Sequence, residues 1–352
     1  MTPTIVTRTL ALAGFISAGK LSHSYRSLLP VLALCLATTA WSQGILGPKA
    51  PHRSSIMSGV STSTKPAAET PASAQYKFVT IGVPGSANAQ AAGINNAGLV
   101  SGYYEDVSSS SIYHGFVWQN GAFQTVDYPG AVYTYLFGVN NQGVAIGLYD
   151  DASNAEHAVM YNVSDGTWAV LPDIPGYPEN EGYGINRAGV AVGNAYSADF
   201  STNVAWVWHP AQSKYSFFSV PGAAQYSTGP SAINDKGQIA GYFCTTEPCY
   251  NASFELYGFL KQGETYTTVS APAAPGTYAL GINNSGTIVG QWQDFAYAAQ
   301  GFALTSGGLF TTVDYPGPEV TGLEGINDHG DICGTYVDTP SGARRAFIGL
   351  RK

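Results

Sequence analysis

Tyrosine and glutamate residues between the repeated segments of this chain are its best candidates for ligand contact. A tyrosine combines an apolar ring with a hydroxyl group, and carboxylates beside such rings suit sugars or peptide segments. We expect these residues to gather on loops at one end of the fold, and the alternative is that the tyrosines pack between neighbouring repeats. The set comprises Tyr133, Tyr135, Tyr177, Glu181, Tyr183, Tyr226, Tyr278 and Glu324.

No catalytic motif stands out. The chain contains no Gly-x-Ser-x-Gly elbow, no His-Glu-x-x-His pair and no phosphate-binding loop. A glycosidase would need two carboxyl groups about 5 to 10 Å apart across a cleft. The sequence does not show such a pair, so a hydrolase or lyase acting on extracellular polysaccharide is the alternative to a non-catalytic binding or structural module. Glu181 and Glu324 are the first residues to test for it.

The other polar residues favour turns and strand edges, and we expect no metal site and no cofactor. His114 and His157 occupy equivalent positions in different repeats, so they would not converge on one ion, and we expect them to form hydrogen bonds at strand edges. Several aspartates follow the second strand of a repeat, but they lack the dense spacing of a calcium loop and are interpreted as turn formers. They are Asp106, Asp150, Asp151, Asp294 and Asp338.

Three cysteines invite specific predictions. Cys244 and Cys249 lie in the segment CTTEPC, and in an exported protein they are predicted to form a local disulfide. Cys333 stands where other repeats have Val or Ala, and is predicted to be a buried thiol.

A twelve-residue motif determines where these candidates lie, because it recurs six times. The copies are GINNAGLVSGYY from 93, GVNNQGVAIGLY from 138, GINRAGVAVGNA from 184, AINDKGQIAGYF from 232, GINNSGTIVGQW from 281 and GINDHGDICGTY from 325. A period of about 40 to 50 residues is typical of four-stranded propeller blades. In each copy the Asn can initiate a turn, and the Gly three residues later can adopt the left-handed conformation of a short hairpin.

Each repeat also contains an aromatic strand, such as HGFVW at 114, and a strand that ends in a Pro-Gly turn, such as FQTVDYPG at 123. The last repeat stops after its aromatic strand around Phe347, and the missing strand stands at the front as FVTIGVPG, residues 78–85. The sequence therefore predicts an all-β fold: a six-bladed β-propeller over 76–352 with four antiparallel strands per blade. The ring would be closed by the N-terminal strand, with Phe78 to Val83 pairing near Phe347. A solenoid and another all-β stack are the alternatives.

The hairpin motif, the His-Gly-Phe strand and the TVDYPG strand together resemble the HAF-type extracellular repeat of secreted bacterial proteins. The resemblance covers essentially all of 76–352 and implies secretion and a propeller-like β fold. It implies no activity, cofactor or catalytic residue. The third repeat departs from the pattern, with Ala205-Trp206-Val207 in place of the His-containing strand.

The N-terminal region and the net charge bear on location and partners. Residues 28–40 form a short apolar run after Lys20 and Arg26, which predicts a signal peptide over 1–42, with an uncleaved anchor as the alternative. Residues 43–75, rich in Ser, Thr, Pro and Ala, are predicted to be a disordered linker. The net charge of −8 without basic clusters argues against nucleic acid. We expect a secreted, periplasmic or surface-associated monomer without a membrane span in the mature chain, whose partner is a glycan or an extracellular protein.

Overall fold

A computed structural model describes residues 72–352, except 109–111, 247–255, 273, 275, 294–298 and 319. The predicted signal peptide and residues 43–71 of the predicted linker lie outside this part. The residues Ala72–Gln75, at the end of the predicted linker, form a short 3-10 helix. They are held by the C-terminus, because the backbone N–H of Lys352 donates to the carbonyl oxygen of Gln75 at 2.9 Å. Within the described residues, no helix has the length and apolar character needed to cross a membrane.

The structure is all-β, as predicted, and consecutive strands pair in antiparallel groups of four. The first two groups are β2 (Ser86–Ile94), β3 (Val100–Asp106), β4 (Tyr113–Gln119) and β5 (Ala122–Val126), then β6 (Tyr133–Val139), β7 (Val144–Asp150), β8 (Glu156–Asn162) and β9 (Thr167–Val170). The third is β10 (Glu179–Ile185), β11 (Ala191–Tyr196), β12 (Asn203–His209) and β13 (Lys214–Phe218), with a short 3-10 helix at Pro210–Gln212.

The fourth and fifth groups are β14 (Gly229–Ile233), β15 (Ile239–Cys244), β16 (Leu256–Gln262) and β17 (Thr265–Val269), then β18 (Gly276–Ile282), β19 (Ile288–Gln293), β20 (Ala299–Leu304) and β21 (Phe310–Thr312). A single parallel pairing of Leu256 with Gly276 links these two groups into one sheet. The strand order in each group is the one predicted from the repeat.

The last sheet joins the two ends of the described chain. It contains β22 (Thr321–Ile326), β23 (Ile332–Val337), β24 (Arg344–Arg351) and β1 (Tyr76–Thr80), in the order β1-β24-β23-β22. Thr80 pairs with Phe347 and Tyr76 with Arg351. The predicted pairing of the N-terminal strand near Phe347 is therefore present for residues 78–80, but the strand begins at Tyr76 and ends before Val83.

The turn between the first two strands of each repeat has the predicted left-handed glycine. The six glycines have φ between +70° and +83°, and they are Gly98, Gly143, Gly189, Gly237, Gly286 and Gly330. In the first repeat the side-chain oxygen of Asn95 accepts hydrogen bonds from the backbone N–H groups of Ala97 and Leu99, at 2.9 and 3.0 Å. The motif Asn thus fixes the turn by satisfying its donors.

The core lies within and between neighbouring sheets. The aromatic strand contributes one fully buried ring in most repeats, such as Phe116, Trp206 and Phe259. Phe116 pairs with Gly102 on the adjacent strand, and a Cβ on that glycine would lie 2.6 Å from the ring. The glycine at this place in the repeat therefore makes room for the aromatic ring of the paired strand.

Candidate functional site

The six motif asparagines connect the repeats to one another. Each side-chain Nδ2 donates to the backbone carbonyl oxygen of the Asn in the next repeat, at 2.9 to 3.2 Å. The last of these bonds runs from Asn327 back to Asn95. The donors in chain order are Asn95, Asn140, Asn186, Asn234, Asn283 and Asn327. The sequence indicated only the turn function of these residues.

The first strands of the six repeats are β2, β6, β10, β14, β18 and β22. Two residues before each motif Asn, these first strands approach one another so closely that glycine is almost required. A Cβ on Gly93 would lie 2.6 Å from the carbonyl oxygen of Phe137, and a Cβ on Gly325 would lie 3.2 Å from the Cα of Gly93. The backbone register shifts at this level in each first strand, as between Ala91 and Gly93. The six first strands therefore converge backbone to backbone.

A cavity of about 70 Å³ lies beside this constriction and is lined by all six first strands. We call it the central cavity. In five repeats the residue three before the motif Asn contributes to its wall, and these residues are Ala92, Tyr183, Ser231, Leu280 and Glu324. The Phe137 ring packs against Tyr183, with the two centroids 5.1 Å apart. The wall therefore presents one aromatic ring, a serine and a carboxyl group.

Behind Tyr183 lies a cluster of buried acidic side chains, Asp150, Glu156, Glu179 and Glu181, which we call the acidic cluster. The Tyr183 hydroxyl donates to the Glu181 carboxylate. The backbone N–H of Glu156 donates to Glu179 Oε2 at 2.8 Å. Tyr183 thus connects the central cavity to the acidic cluster.

Burial raises the pKa of the acidic groups around the cavity. It raises the pKa of Asp150 to about 7, helped by the charges of Glu181 and Glu179. Burial, and then Glu181, raises the pKa of Glu156 well above its usual range. Burial raises the pKa of Glu324 to about 7, opposed by the nearby Arg344 guanidinium. Several of these carboxyl groups consequently keep a proton near neutral pH.

The structure places six of the eight predicted ligand residues on first strands instead of loops. Tyr133 and Tyr135 lie on β6, Tyr278 on β18, and the other three are Glu181, Tyr183 and Glu324. Tyr183 and Glu324 both line the central cavity, and Glu181 contacts Tyr183. Long first strands account for this difference, since they begin soon after the Pro-Gly turn and take up residues that look like loop residues in the sequence.

The remaining predicted ligand residues do not join this site as exposed contacts. Tyr135 and Tyr278 are both 1% exposed, which fits the alternative that tyrosines pack between repeats. Tyr133 packs on the Tyr113 ring. Tyr177 packs beside the core around Ile174, and Tyr226, 44% exposed, lies on the loop after β13.

The histidines and most turn aspartates behave as expected. His114 Nδ1 lies 2.8 Å from Asp127 Oδ2, and His157 Nε2 lies 3.2 Å from Asp151 Oδ2. Asp151 also accepts from the backbone and hydroxyl of Ser153, as a turn former does. Asp150 was interpreted as a turn residue and is instead fully buried in the acidic cluster.

The predicted buried thiol of Cys333 is free and fully buried, and burial raises its pKa. Cys249 lies outside the described residues, so the Cys244–Cys249 disulfide stays a prediction. Asp294 also lies outside them. Among the described residues, no group of three or more His, Cys, Asp or Glu side chains is placed to hold a metal ion.

No protein-family model matches the chain. No curated protein matches it either. The fold is similar to the crystal structure of AofleA from Arthrobotrys oligospora, with a TM-score of 0.51, 13% identity, and coverage of 79% of this chain and 87% of that one. It is also similar to putative TolB from Agrobacterium tumefaciens, with a TM-score of 0.50, 11% identity, and coverage of 74% and 90%.

A β-propeller is named among the similar structures. The beta-propeller domain of the Trilobed protease from Pyrococcus furiosus aligns with a TM-score of 0.45 and 10% identity, covering 75% of this chain and 81% of that one. Likeness at such low identity concerns the fold alone. The chain has an all-β fold of four-stranded antiparallel sheets, with β-propellers among its neighbours.

Proposed function

We propose that the six groups of strands are the blades of one closed β-propeller, and that β1 completes the blade of β22, β23 and β24. Two contacts support this arrangement. β1 pairs with β24, and the hydrogen bonds between motif asparagines return from Asn327 to Asn95. A solenoid would not bring its first and last repeats together in this way. Membership of the HAF-type extracellular repeat family is part of the same proposal and rests on the repeat motifs.

The function we propose is non-catalytic binding of a carbohydrate at the central cavity. The observation that carries it is the wall of this cavity, to which Tyr183, Ser231 and Glu324 contribute, with the Phe137 ring packed on Tyr183. Hydroxyl and carboxyl groups bind the polar substituents of a sugar, and an aromatic ring packs against a substituent that enters the cavity. All four side chains are carried by strands, so the site is rigid before the ligand arrives, which lowers the cost of binding.

The experiment is glycan-array binding with the purified protein, followed by product analysis of every glycan that binds. We expect binding with the glycan recovered unchanged. An array without binding to any glycan would contradict the proposal. Binding that survives replacement of both Tyr183 and Glu324 would contradict the assignment of the site.

A hydrolase or lyase is the second candidate, favoured by one observation. The Glu156 and Glu181 carboxyl groups are buried near each other, and burial raises the pKa of each, as for general acids. Both groups are fully buried, however, and neither lines the central cavity. Turnover of an array glycan that is abolished by Glu181→Gln or Glu324→Gln would establish the enzyme.

We also propose that the protein is exported and acts outside the inner membrane as a monomer. The support is the apolar leader with its basic flank in residues 1–42. N-terminal sequencing of the mature protein tests the leader, and light scattering tests the monomer. A mature chain that starts at Met1, or a stable dimer, would contradict the corresponding part.

A further inference from the structure

The charges around the central cavity are unbalanced. Glu324 lines the cavity, and the four members of the acidic cluster lie behind Tyr183. Within the described part of the chain, the ion pairs of Lys, Arg and His side chains within 4.0 Å involve none of these five carboxyl groups. The Arg344 guanidinium acts on Glu324 from a greater distance. The site thus has more acidic groups than nearby cations.

Several buried oxygens at this site also lack a hydrogen-bond partner among the described residues. They include both carboxyl oxygens of Asp150, both of Glu156, and Oε1 of Glu181. The hydroxyl of Tyr135, a residue only 1% exposed, is likewise unpartnered and feels the charges of Asp150 and Glu156. Buried polar groups without partners are costly, so these oxygens favour a bound proton or a cation.

The Tyr183 ring and the Glu324 carboxyl group in the wall suit a cation. A cation is attracted to the face of an aromatic ring within about 6 Å of its centroid, and a carboxylate beside the ring strengthens that attraction. Tyr183 and Glu324 supply both features in one cavity of about 70 Å³. A cavity of this size accommodates a small charged group and not a whole sugar ring.

We propose that the central cavity binds the ammonium group of an amino sugar, between Glu324 and the ring of Tyr183. This inference rests on the proposed carbohydrate-binding function and specifies its ligand class. The amino sugar would place its ring and its hydroxyls outside the cavity.

Proton release follows from the same geometry. Burial holds the pKa of Glu324 at about 7, while Arg344 lowers it, and the Cys333 thiol is the other titratable group whose pKa responds to this carboxyl. A cation that enters the cavity favours the ionised carboxylate and expels its proton. A neutral sugar in the same place would leave the protonation of Glu324 nearly unchanged.

The test is calorimetry on the full chain with two matched probes, the glucosamine trisaccharide and the N-acetylglucosamine trisaccharide. Titrations at pH 6.5 in two buffers with different ionisation enthalpies report the protons released. We expect the amino form to bind at least about tenfold more tightly, and Glu324 to release about 0.8 proton, the protonated fraction at pH 6.5 of a group with a pKa of about 7, less the proton that the sugar amine takes up on binding. Glu324→Gln should abolish the release and bring the two affinities within about twofold.

Glu264→Gln is the matched control, because the Glu264 side chain is 97% exposed and lies outside the cavity. It should leave both affinities and the proton release unchanged. Thermal unfolding of both variants checks that they fold. Equal affinity for the two probes without proton release would overturn the ammonium site and leave the carbohydrate-binding function standing. No binding of either probe or of any array glycan would overturn both.

Discussion

The side-chain amide of Asn327 donates to the backbone carbonyl oxygen of Asn95 at 3.1 Å, although 232 residues separate the two. The same side chain also accepts from the backbone N–H groups of His329 and Asp331 in its own turn. One residue therefore fixes a local turn with its oxygen and the neighbouring repeat with its nitrogen. Asp could perform the first role and not the second.

Replacing a motif asparagine with aspartate should therefore destabilise the fold. In Asn140→Asp the carboxylate can still accept from the turn N–H groups of Gln142 and Val144. It cannot donate to the Asn186 carbonyl oxygen, and it buries a charge. We therefore expect the free energy of unfolding, measured with urea, to fall by about 3 kcal/mol. Asn141→Asp is the adjacent control: Asn141 is exposed and only accepts from the Asn96 N–H, so its cost should stay below about 0.5 kcal/mol. Equal costs would refute the inter-repeat role.

A methyl group at the constriction should be poorly tolerated. Gly93→Ala would place a Cβ 2.6 Å from the Phe137 carbonyl oxygen and 2.9 Å from the Val139 nitrogen. Backbone atoms cannot move aside as a flexible side chain can, so we expect a loss of about 1 to 3 kcal/mol. Gly82→Ala is the control, because nothing lies within 4 Å of a Cβ there. Thermal unfolding of both variants measures the difference, and two similar melting temperatures would contradict the close approach.

The pairing of β1 with β24 should stabilise both of these strands. The Phe78 ring packs against Phe347 and Tyr315, with centroids 5.6 and 5.3 Å away. Phe78→Ala should lower the free energy of unfolding by about 2 kcal/mol and speed hydrogen exchange at the amides of β24. Phe217→Ala, at a ring that is 55% exposed, should cost less and leave β24 protected. Unchanged exchange in both variants would argue against closure by β1.

The acidic cluster should make stability fall as pH rises, opposite to the usual trend for carboxyl groups. Burial raises the Asp150 pKa from 3.8 to about 7, so the folded state binds this proton more tightly than the unfolded chain. Stability is then highest near pH 4 and is lost as pH rises toward 7, by about 4 kcal/mol at about 1.4 kcal/mol per pKa unit.

Asp150→Asn should remove this part of the pH dependence and stabilise the protein at pH 8. Urea unfolding of the wild type and the variant at pH 5 and pH 8 measures both effects. Asp199→Asn is the control, since the pKa of this exposed aspartate is lowered by hydrogen bonds from Ser201 and Ser197. A wild-type protein more stable at pH 8 than at pH 5, with no change in Asp150→Asn, would show that the cluster is not protonated.

Much of the architecture was predictable from the repeat. The left-handed Gly98, the four strands in their order, and the partnership of the first strand with Phe347 follow from local turn chemistry and from counting strands. These features are local or periodic, and the six copies of the motif show the same pattern of residues. The bond from each motif Asn to the next repeat was not predictable, because it joins residues 44 to 49 positions apart along the chain.

The site was harder to predict for a physical reason. Asp150 and Glu156 flank a turn between β7 and β8, where charged residues are ordinarily solvated, and nothing in their spacing shows that β10 covers them. Tyr183 and Glu324 were recognised as candidates, but the sequence could not show that their strands converge at one cavity. Whether a side chain is buried at the central cavity depends on how the repeats assemble, so the sequence of a single repeat does not show it.

Filling the central cavity without removing its polar groups is the most direct test of the binding site. Ala92 lines the cavity, and the equivalent position of the third repeat places the Tyr183 ring in the same wall, so Ala92→Phe should fill the space with a ring of a size that this position accommodates elsewhere. The measurement is calorimetric affinity for the tightest array glycan. We expect Ala92→Phe to bind at least about tenfold more weakly, with Ala97→Phe on an exposed turn binding like wild type. Unchanged affinity in a folded Ala92→Phe protein would contradict binding at the central cavity.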